Sequence, residues 1–348
     1  MKKRMLKRLA AAVLLLAVCG LVWQYHKHAG ERSCTEQLFA MDTVMTFTAH
    51  GKNCEEAVDA AMKEVERLDA LLSTGSTSSE ISILNAAGGG QGLSDDTMAL
   101  FRRGLEIYED TDGAFDFTIY PLMQLWGFPT GEYHVPSAGE LQEVLPLVDA
   151  SKVEVSEDGI NGVSLGEGQQ VDFGGIAKGY TSRRVMEIYA EYGVTSGMVS
   201  LGGNVQVLGE KPDGSPWRVG IQDPEGAQGE TVAVLEAADC AIVTSGGYER
   251  YFEEDGNTYI HILDPKTGRP VKGDLASASV ISDDGTLADA LSTALYIMGR
   301  EKAMDYWRRH EGEFEMILIT NEGNIYITED ISENFSSERD VTTVYREE

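Results

Sequence analysis

Residues 171–180 read Val-Asp-Phe-Gly-Gly-Ile-Ala-Lys-Gly-Tyr. The first three suit the end of a strand, and helical spacing predicts a helix from Ile176 to about Tyr192. A glycine pair at that junction leaves the helix-start amides open to an anion, and Lys178 adds a mobile positive charge. The pattern points to pyrophosphate recognition, with a tight turn and a solvated lysine as the alternative. It is not a Walker loop, because GxxxxGK[ST] is missing, and it is not a dinucleotide fingerprint, because GxGxxG is missing too.

Outward from this segment, the alternation of elements is irregular. Gln37 to His50 is β-prone. A helix is expected from about Asn53 to Leu72, with Asn53 as its cap and Glu55 and Glu56 at its positive end. A second helix is expected from Ser94 to about Tyr108. The aromatic stretch from Phe115 to Phe128 has neither helix nor strand period and reads as a loop or a pocket wall. A short helix near Ser137–Leu147 precedes several short strands between Lys152 and Phe173. Met198–Leu201 is a strand running into Gly202-Gly203-Asn204. Further strands lead to Ile262, and a turn follows at Asp264–Gly268. Helices from about Thr286 to Met298 and near Glu301–His310 precede a hairpin over Phe314–Thr328. No internal repeat is visible. This pattern predicts an α+β fold of mixed sheets with packed helices rather than a doubly wound parallel sheet.

Composition bounds the function. The chain has 348 residues, 42% of them hydrophobic, enough for a sizeable core. Six of the 28 basic residues and none of the 57 acidic ones precede Glu31. The remainder is therefore strongly acidic and a poor partner for nucleic acid. A phosphate ligand would need local cations, glycine amides or a metal. Lys2, Lys3, Arg4, Lys7 and Arg8 lead into an apolar run from Leu9 to Trp23, which reads as a signal or anchor segment over 1–30. Leu16-Ala17-Val18-Cys19 approximates a lipoprotein box, so lipidation at Cys19 and an uncleaved helix are the two forms the anchor takes. Either one puts the catalytic part outside the cytoplasm, on the cell membrane. A tether over 31–36, a catalytic domain over 37–330 and an acidic tail over 331–348 complete the expected layout. Cys34, Cys54 and Cys240 lack zinc spacing and read as isolated thiols, with a Cys34–Cys54 disulfide as the alternative.

Four further features carry chemistry. Asp289 and Thr293 stand four apart on a predicted helix and share a face, half of an oxygen shell for Mg²⁺ or merely a surface pair. Ser200-Leu201-Gly202-Gly203-Asn204 permits close backbone approach to a ligand, or forms a plain hairpin. His261, at the end of an apolar strand, is a general-base candidate or a structural histidine. Ser245 lies in Thr244-Ser245-Gly246-Gly247, but Gly-x-Ser-x-Gly is absent, so a serine-hydrolase reading gains little.

The order of these motifs resembles the ApbE family of FAD:protein FMN transferases over roughly residues 37–330. The matching motifs are Ala40–Thr43, Ser79–Ser82 with Leu84-Asn85, Phe115–Thr118, Leu125–Phe128, Asp172–Tyr180, Leu201–Asn204, His261–Pro265 and Asp289–Ala294. The resemblance implies Mg²⁺ held by the Ala177 carbonyl, Asp289 and Thr293. It implies Lys178 on the FAD phosphates, and Met41, Asp116, Thr118, Gly202, Gly203, Asn204 and the Leu263 backbone around the flavin or nucleotide. His261 looks like the catalytic histidine. The implied reaction moves FMN from FAD to a Thr or Ser hydroxyl of an exported or membrane redox protein and releases AMP. The rivals are an FAD pyrophosphatase, a surface flavin carrier and a lipoprotein binding an unrelated solute. Two positions depart from the family: Asp42 stands where Gly is common, and Gly75 where an aromatic residue is expected beside the cofactor.

Overall fold

The computed structural model describes residues 32–156, 160–227 and 229–346. Nine strands form one sheet in simple sequence order: β1 Ser33–Ala40, β2 Thr43–His50, β3 Ser196–Leu201, β4 Asn204–Leu208, β5 Ala241–Gly246, β6 Leu275–Ser282, β7 Glu315–Thr320, β8 Ile325–Thr328 and β9 Val341–Val344. Neighbours pair antiparallel except β8 and β9, which are parallel. Eight α-helices among the described residues cover and flank it: α1 Cys54–Leu72, α2 Glu80–Ala87, α3 Asp95–Asp110, α4 Tyr120–Trp126, α5 Ala138–Val144, α6 Ala177–Glu191, α7 Gly285–Met298 and α8 Arg300–Arg309. The architecture is mixed α+β.

The strands alternate because each face meets a different layer. On β2, Met45, Phe47 and Ala49 are buried against α1 and α6 together with Val58, Val65 and Tyr189. On the other face, Ile317, Ile319, Ile325 and Ile327 pack with Trp217, Val219 and Leu235 of a smaller three-stranded sheet. The largest cluster joins α3, α6, α7 and α8 around Phe101, Phe117, Phe173 and Trp307.

Several expectations need correction. The aromatic stretch contains helix α4, because Pro121 fits its first turn and Gly127, at φ 78°, ends it. Helix α2, capped by the Ser79 hydroxyl on the Ser82 amide, had only a motif and no element assigned to it. Asn53 makes no side-chain cap on α1; its Nδ2 donates to the Tyr192 carbonyl at 2.9 Å. Among the described residues between Lys152 and Phe173, only Glu154–Val155 and Val163–Ser164 are strands.

The boundaries also shift. Ser33–Glu36, within the expected tether, is already strand and pairs with Phe47–His50. Residues expected to be an acidic tail supply Phe335–Ser337 to the small sheet and β9 to the large one. The Arg346 guanidinium lies 4.0 Å from the Trp307 ring centre. The three described cysteines are free thiols. The expected anchor at 1–30 lies outside the described residues. Among the described residues, no helix is long and apolar enough to cross a membrane.

Candidate active site

The crossing of α6 and α7 builds the site. A methyl group on Gly179 would lie 2.1 Å from the Gly285 carbonyl oxygen and 2.6 Å from the Asp289 Cβ. Only backbone against backbone fits there, and this closeness lets the Gly179 amide donate to Asp289 Oδ2 at 2.7 Å. Asp289 is buried, and burial pushes its carboxyl above the usual range, opposed by the Lys178 charge and the helix amides. One turn further along α7, Thr293 Oγ1 lies 3.1 Å from Ser245 Oγ, which also meets Ser292 Oγ at 2.8 Å. The Ala177 carbonyl, at the start of α6, accepts from Thr181 Oγ1 at 2.7 Å, so a cation there would share that oxygen with the helix.

These residues open onto a cleft with two lobes of about 1140 and 1160 Å³, counted out to their mouths. The first lobe is lined by Asp116, Gly202, Asn204, Ser245, Glu249, His261, Leu263, Asp289 and Thr293 among others. The second is lined by Met41, Asp42, Asp69, Ser73, Thr74, Gly75, Pro129 and Ala177 among others. The lobes share Met123, Asp172, Gly174, Lys178 and Arg250. Neither Lys178 nor Arg250 has a carboxylate within ion-pair distance among the described residues, although the chain is strongly acidic.

His261 stands in the first lobe. The Arg250 carbonyl accepts from the His261 amide at 3.0 Å and lies 3.1 Å from its Nδ1. A carbonyl can only accept, so the neutral ring carries its proton on Nδ1 and leaves the Nε2 lone pair free. Burial, with the Arg250 and Lys178 charges, pushes this imidazole down to about 4. At neutral pH it is uncharged and can take a proton.

Asn204 is 2% exposed, and neither its Oδ1 nor its Nδ2 has a partner among the described residues. A buried amide with both ends unpaired is costly unless a ligand completes it, and Asn204 faces the first lobe. Asp116 accepts from the Thr118 amide at 2.8 Å, from the Thr118 hydroxyl at 2.6 Å and from the Ala150 amide at 3.2 Å. Thr118 is fully buried and lines neither lobe; its link to the cleft is the Asp116 carboxylate it hydrogen-bonds. Gly203 also lies outside both linings, with φ 95° serving the β3–β4 turn.

Sequence reasoning assigned no role to Asp172, Glu249 or Arg250. Burial pushes Glu249 up, with the Asp289 charge adding and Lys178 opposing. Asp172 is also pushed up by burial and holds the Gly174 amide at 2.8 Å. A Glu-Arg pair between Gly246-Gly247 and His261 was the available signal. Among the described residues no three His, Cys, Asp or Glu side chains cluster as a metal centre. A cation here would rest on one carboxylate with hydroxyl and carbonyl oxygens. Such a hard donor set suits Mg²⁺ sharing its shell with phosphate and water.

A model of the ApbE family matches residues 41–318. The FAD:protein FMN transferase of Treponema pallidum is 33% identical over 323 residues, covering 86% of this chain and 88% of that protein. The Escherichia coli K12 protein of the same name is 32% identical over 338 residues, covering 92% and 93%. Among solved structures, the ApbE protein of Thermotoga maritima superposes with a TM-score of 0.82 at 30% identity, covering 89% of this chain and 100% of that one. The flavinyl transferase ApbE of Pseudomonas stutzeri gives 0.77 at 31% identity, covering 88% and 98%.

Proposed function

The chain belongs to the ApbE family, and on that premise we propose that it transfers FMN from FAD to a Ser or Thr hydroxyl of an acceptor protein and releases AMP. Relatives covering most of the chain are named for this reaction. The observation that carries it is the two-lobed cleft, whose lobes meet at Lys178 and Arg250. FAD has the same plan, two ring systems joined through a diphosphate. Each lobe would take one half, and the shared cations would take the phosphates.

The residues act as follows. His261 Nε2 takes the proton of the acceptor hydroxyl as its oxygen attacks the FMN phosphorus. The bond between that phosphorus and the bridging oxygen breaks, and the oxygen leaves with AMP. Lys178 offsets the charge that gathers on the phosphates. Asn204 offers its unpaired amide to the polar edge of the bound ring or ribose. Asp289, Thr293 and the Ala177 carbonyl would hold Mg²⁺. Asp289 and Glu249 face the space a diphosphate would enter, so a cation between the anions removes an evident repulsion. When bound, Mg²⁺ would neutralise and orient the phosphates.

Acceptors would be exported or membrane redox subunits, with the segment over 1–30 holding the catalytic domain at the outer face of the membrane. The test is incubation with FAD, Mg²⁺ and candidate exported proteins, with mass spectrometry for an FMN adduct and AMP measured alongside. Adduct and AMP in equal amounts support the reading. AMP released at the same rate without acceptor would assign a pyrophosphatase instead, and FAD bound with no AMP would assign a carrier.

A further inference from the structure

Arg250 occupies a position that neither the motifs nor the resemblance pointed to. It lines both lobes of the cleft. Its Nη2 donates to the Phe128 carbonyl at 3.0 Å, which ties the turn after β5 to the segment following α4. One Nη2–H of the fork is engaged there, and no carboxylate lies within ion-pair distance among the described residues. Its main-chain carbonyl fixes the His261 ring through Nδ1 and the His261 amide. One residue therefore touches the wall shared by the two lobes with its side chain and the candidate base with its backbone.

We propose that Arg250 is a diphosphate-binding residue that also positions His261, so that substrate binding and base orientation rest on the same short turn. The inference rests on the transferase reading for the identity of the dinucleotide. The guanidinium fork suits two phosphate oxygens, and Lys178, a point charge across the shared wall, suits a third. The charged groups lining the cleft around His261 are Arg250 and Lys178, with Asp116, Asp172, Glu249 and Asp289 opposing them. Removal of Arg250's charge leaves the imidazole with one cation fewer, so its basicity rises.

The test uses Arg250→Gln and Arg250→Lys in the full chain, with thermal melting to establish that each is folded. FAD affinity is read from flavin fluorescence with Mg²⁺ and no acceptor, at low and high salt. Arg250→Gln should weaken FAD binding about 10- to 100-fold and flatten its salt dependence, because an ionic contact is screened by salt. Arg250→Lys should keep part of the affinity. The acid limb of the transfer rate should move to higher pH in Arg250→Gln. Affinity within about twofold of the parent at low salt would overturn the proposal. So would equal losses in both variants with the salt dependence unchanged, which is what a purely structural tie to Phe128 gives. An unmoved acid limb would overturn the charge coupling to His261, since both variants keep the main-chain carbonyl that orients the ring. Because FAD binding is measured without acceptor, a chain that flavinylates nothing defeats the transferase reading while these affinities still judge Arg250.

Discussion

The two lobes of the cleft are built by different means. The first takes part of its chemistry from regular elements, Asp289 and Thr293 from α7, Lys178 from α6 and Asn204 from the first position of β4, and adds Asp116, Glu249, Arg250 and His261 from turns and loops. Its neighbouring hairpin turn is Gly202-Gly203, with φ 62° and 95°, where glycine is at ease. The second lobe takes more of its lining from turns and loops, Met41-Asp42, Ser73–Gly75 and Phe128-Pro129, beside Asp69 and Leu72 of α1 and Ala177 of α6. Its hairpin, Met41-Asp42, adopts the same left-handed geometry at φ 48° and 59° with side chains that resist it. The turns stand side by side at one end of the sheet, since β2 pairs with β3. On the proposed reading, the cation-holding groups and Lys178 are held by packed helices, while His261 and Arg250 are fixed by the hydrogen bonds of one turn. On the same reading, groups that would only cradle a ring sit largely on loops, where some strain is tolerated in return for side-chain contact. Substitutions in the first lobe should therefore strike turnover, and those in the second should strike FAD affinity.

The largest effect that contrast predicts is at Asp289. Asp289→Asn should lower transfer by about 10²- to 10⁴-fold, read as FMN adduct formed per minute, a loss of the size expected when a charged group stabilising phosphoryl transfer is removed. The same change should raise the melting temperature of the ligand-free protein at pH 7. The carboxyl is pushed up by burial, so its ionised form costs the folded state at neutral pH, and that cost fades as pH falls through the carboxylate range. The gain over wild type should thus shrink toward pH 4. A variant that loses activity and stability together would mean that Asp289 is a packing residue.

His261→Ala should also cost about 10²- to 10⁴-fold in transfer while leaving FAD affinity within a few-fold. In the FAD-free protein the ring should titrate near 4, followed by NMR of its imidazole protons. The free base is then present throughout the neutral range, and the acid limb of the rate lies well below the ordinary histidine value of about 6.5. A titration near 6.5 would mean that neither burial nor the two cations acts on the ring.

The sequence made the helix-borne part of the first lobe more legible than its turn-borne part, and the reason is physical. Asp289 and Thr293 announce themselves by helical spacing, and Gly174-Gly175 by the junction it marks. Arg250 and Glu249 come from a turn whose path depends on tertiary contacts, the Arg250 tie to Phe128 and the Arg250–His261 bonds, which no local pattern encodes. Helix α4 was hidden because a seven-residue segment of large apolar side chains is buried on most sides and shows no amphipathic period. The strands past residue 330 were hidden by acidic composition. Val341-Thr342-Thr343-Val344 is β-prone, and parallel pairing to β8 realises it.

Smaller effects belong to the second lobe. A Cβ added at Gly75 would have Ser73 Oγ, at 3.7 Å, as its one neighbour within 4 Å, and Gly75 lines the second lobe. Gly75→Tyr should tighten FAD binding by about five- to tenfold, the scale of one stacked ring, with turnover at saturating FAD unchanged. Loss of turnover there would erase the division of labour between the lobes.

The finest discrimination comes from the paired turns. Asp42→Gly gives the Met41 turn a residue suited to φ 59°, as Gly202-Gly203 already has. If the strain at Asp42 is conformational only, folding stability should rise by a few tenths to about 1 kcal/mol, less than the full left-handed penalty because aspartate tolerates that region better than most side chains. The lobe also loses a carboxylate that would stand near the bound dinucleotide, so FAD affinity should rise by about twofold or less and fall back toward wild type in high salt. Chemical denaturation and a salt-dependent FAD titration read the two consequences separately. Greater stability with weaker FAD binding would show that the Asp42 side chain contributes a direct contact, and that the strained turn is retained for recognition.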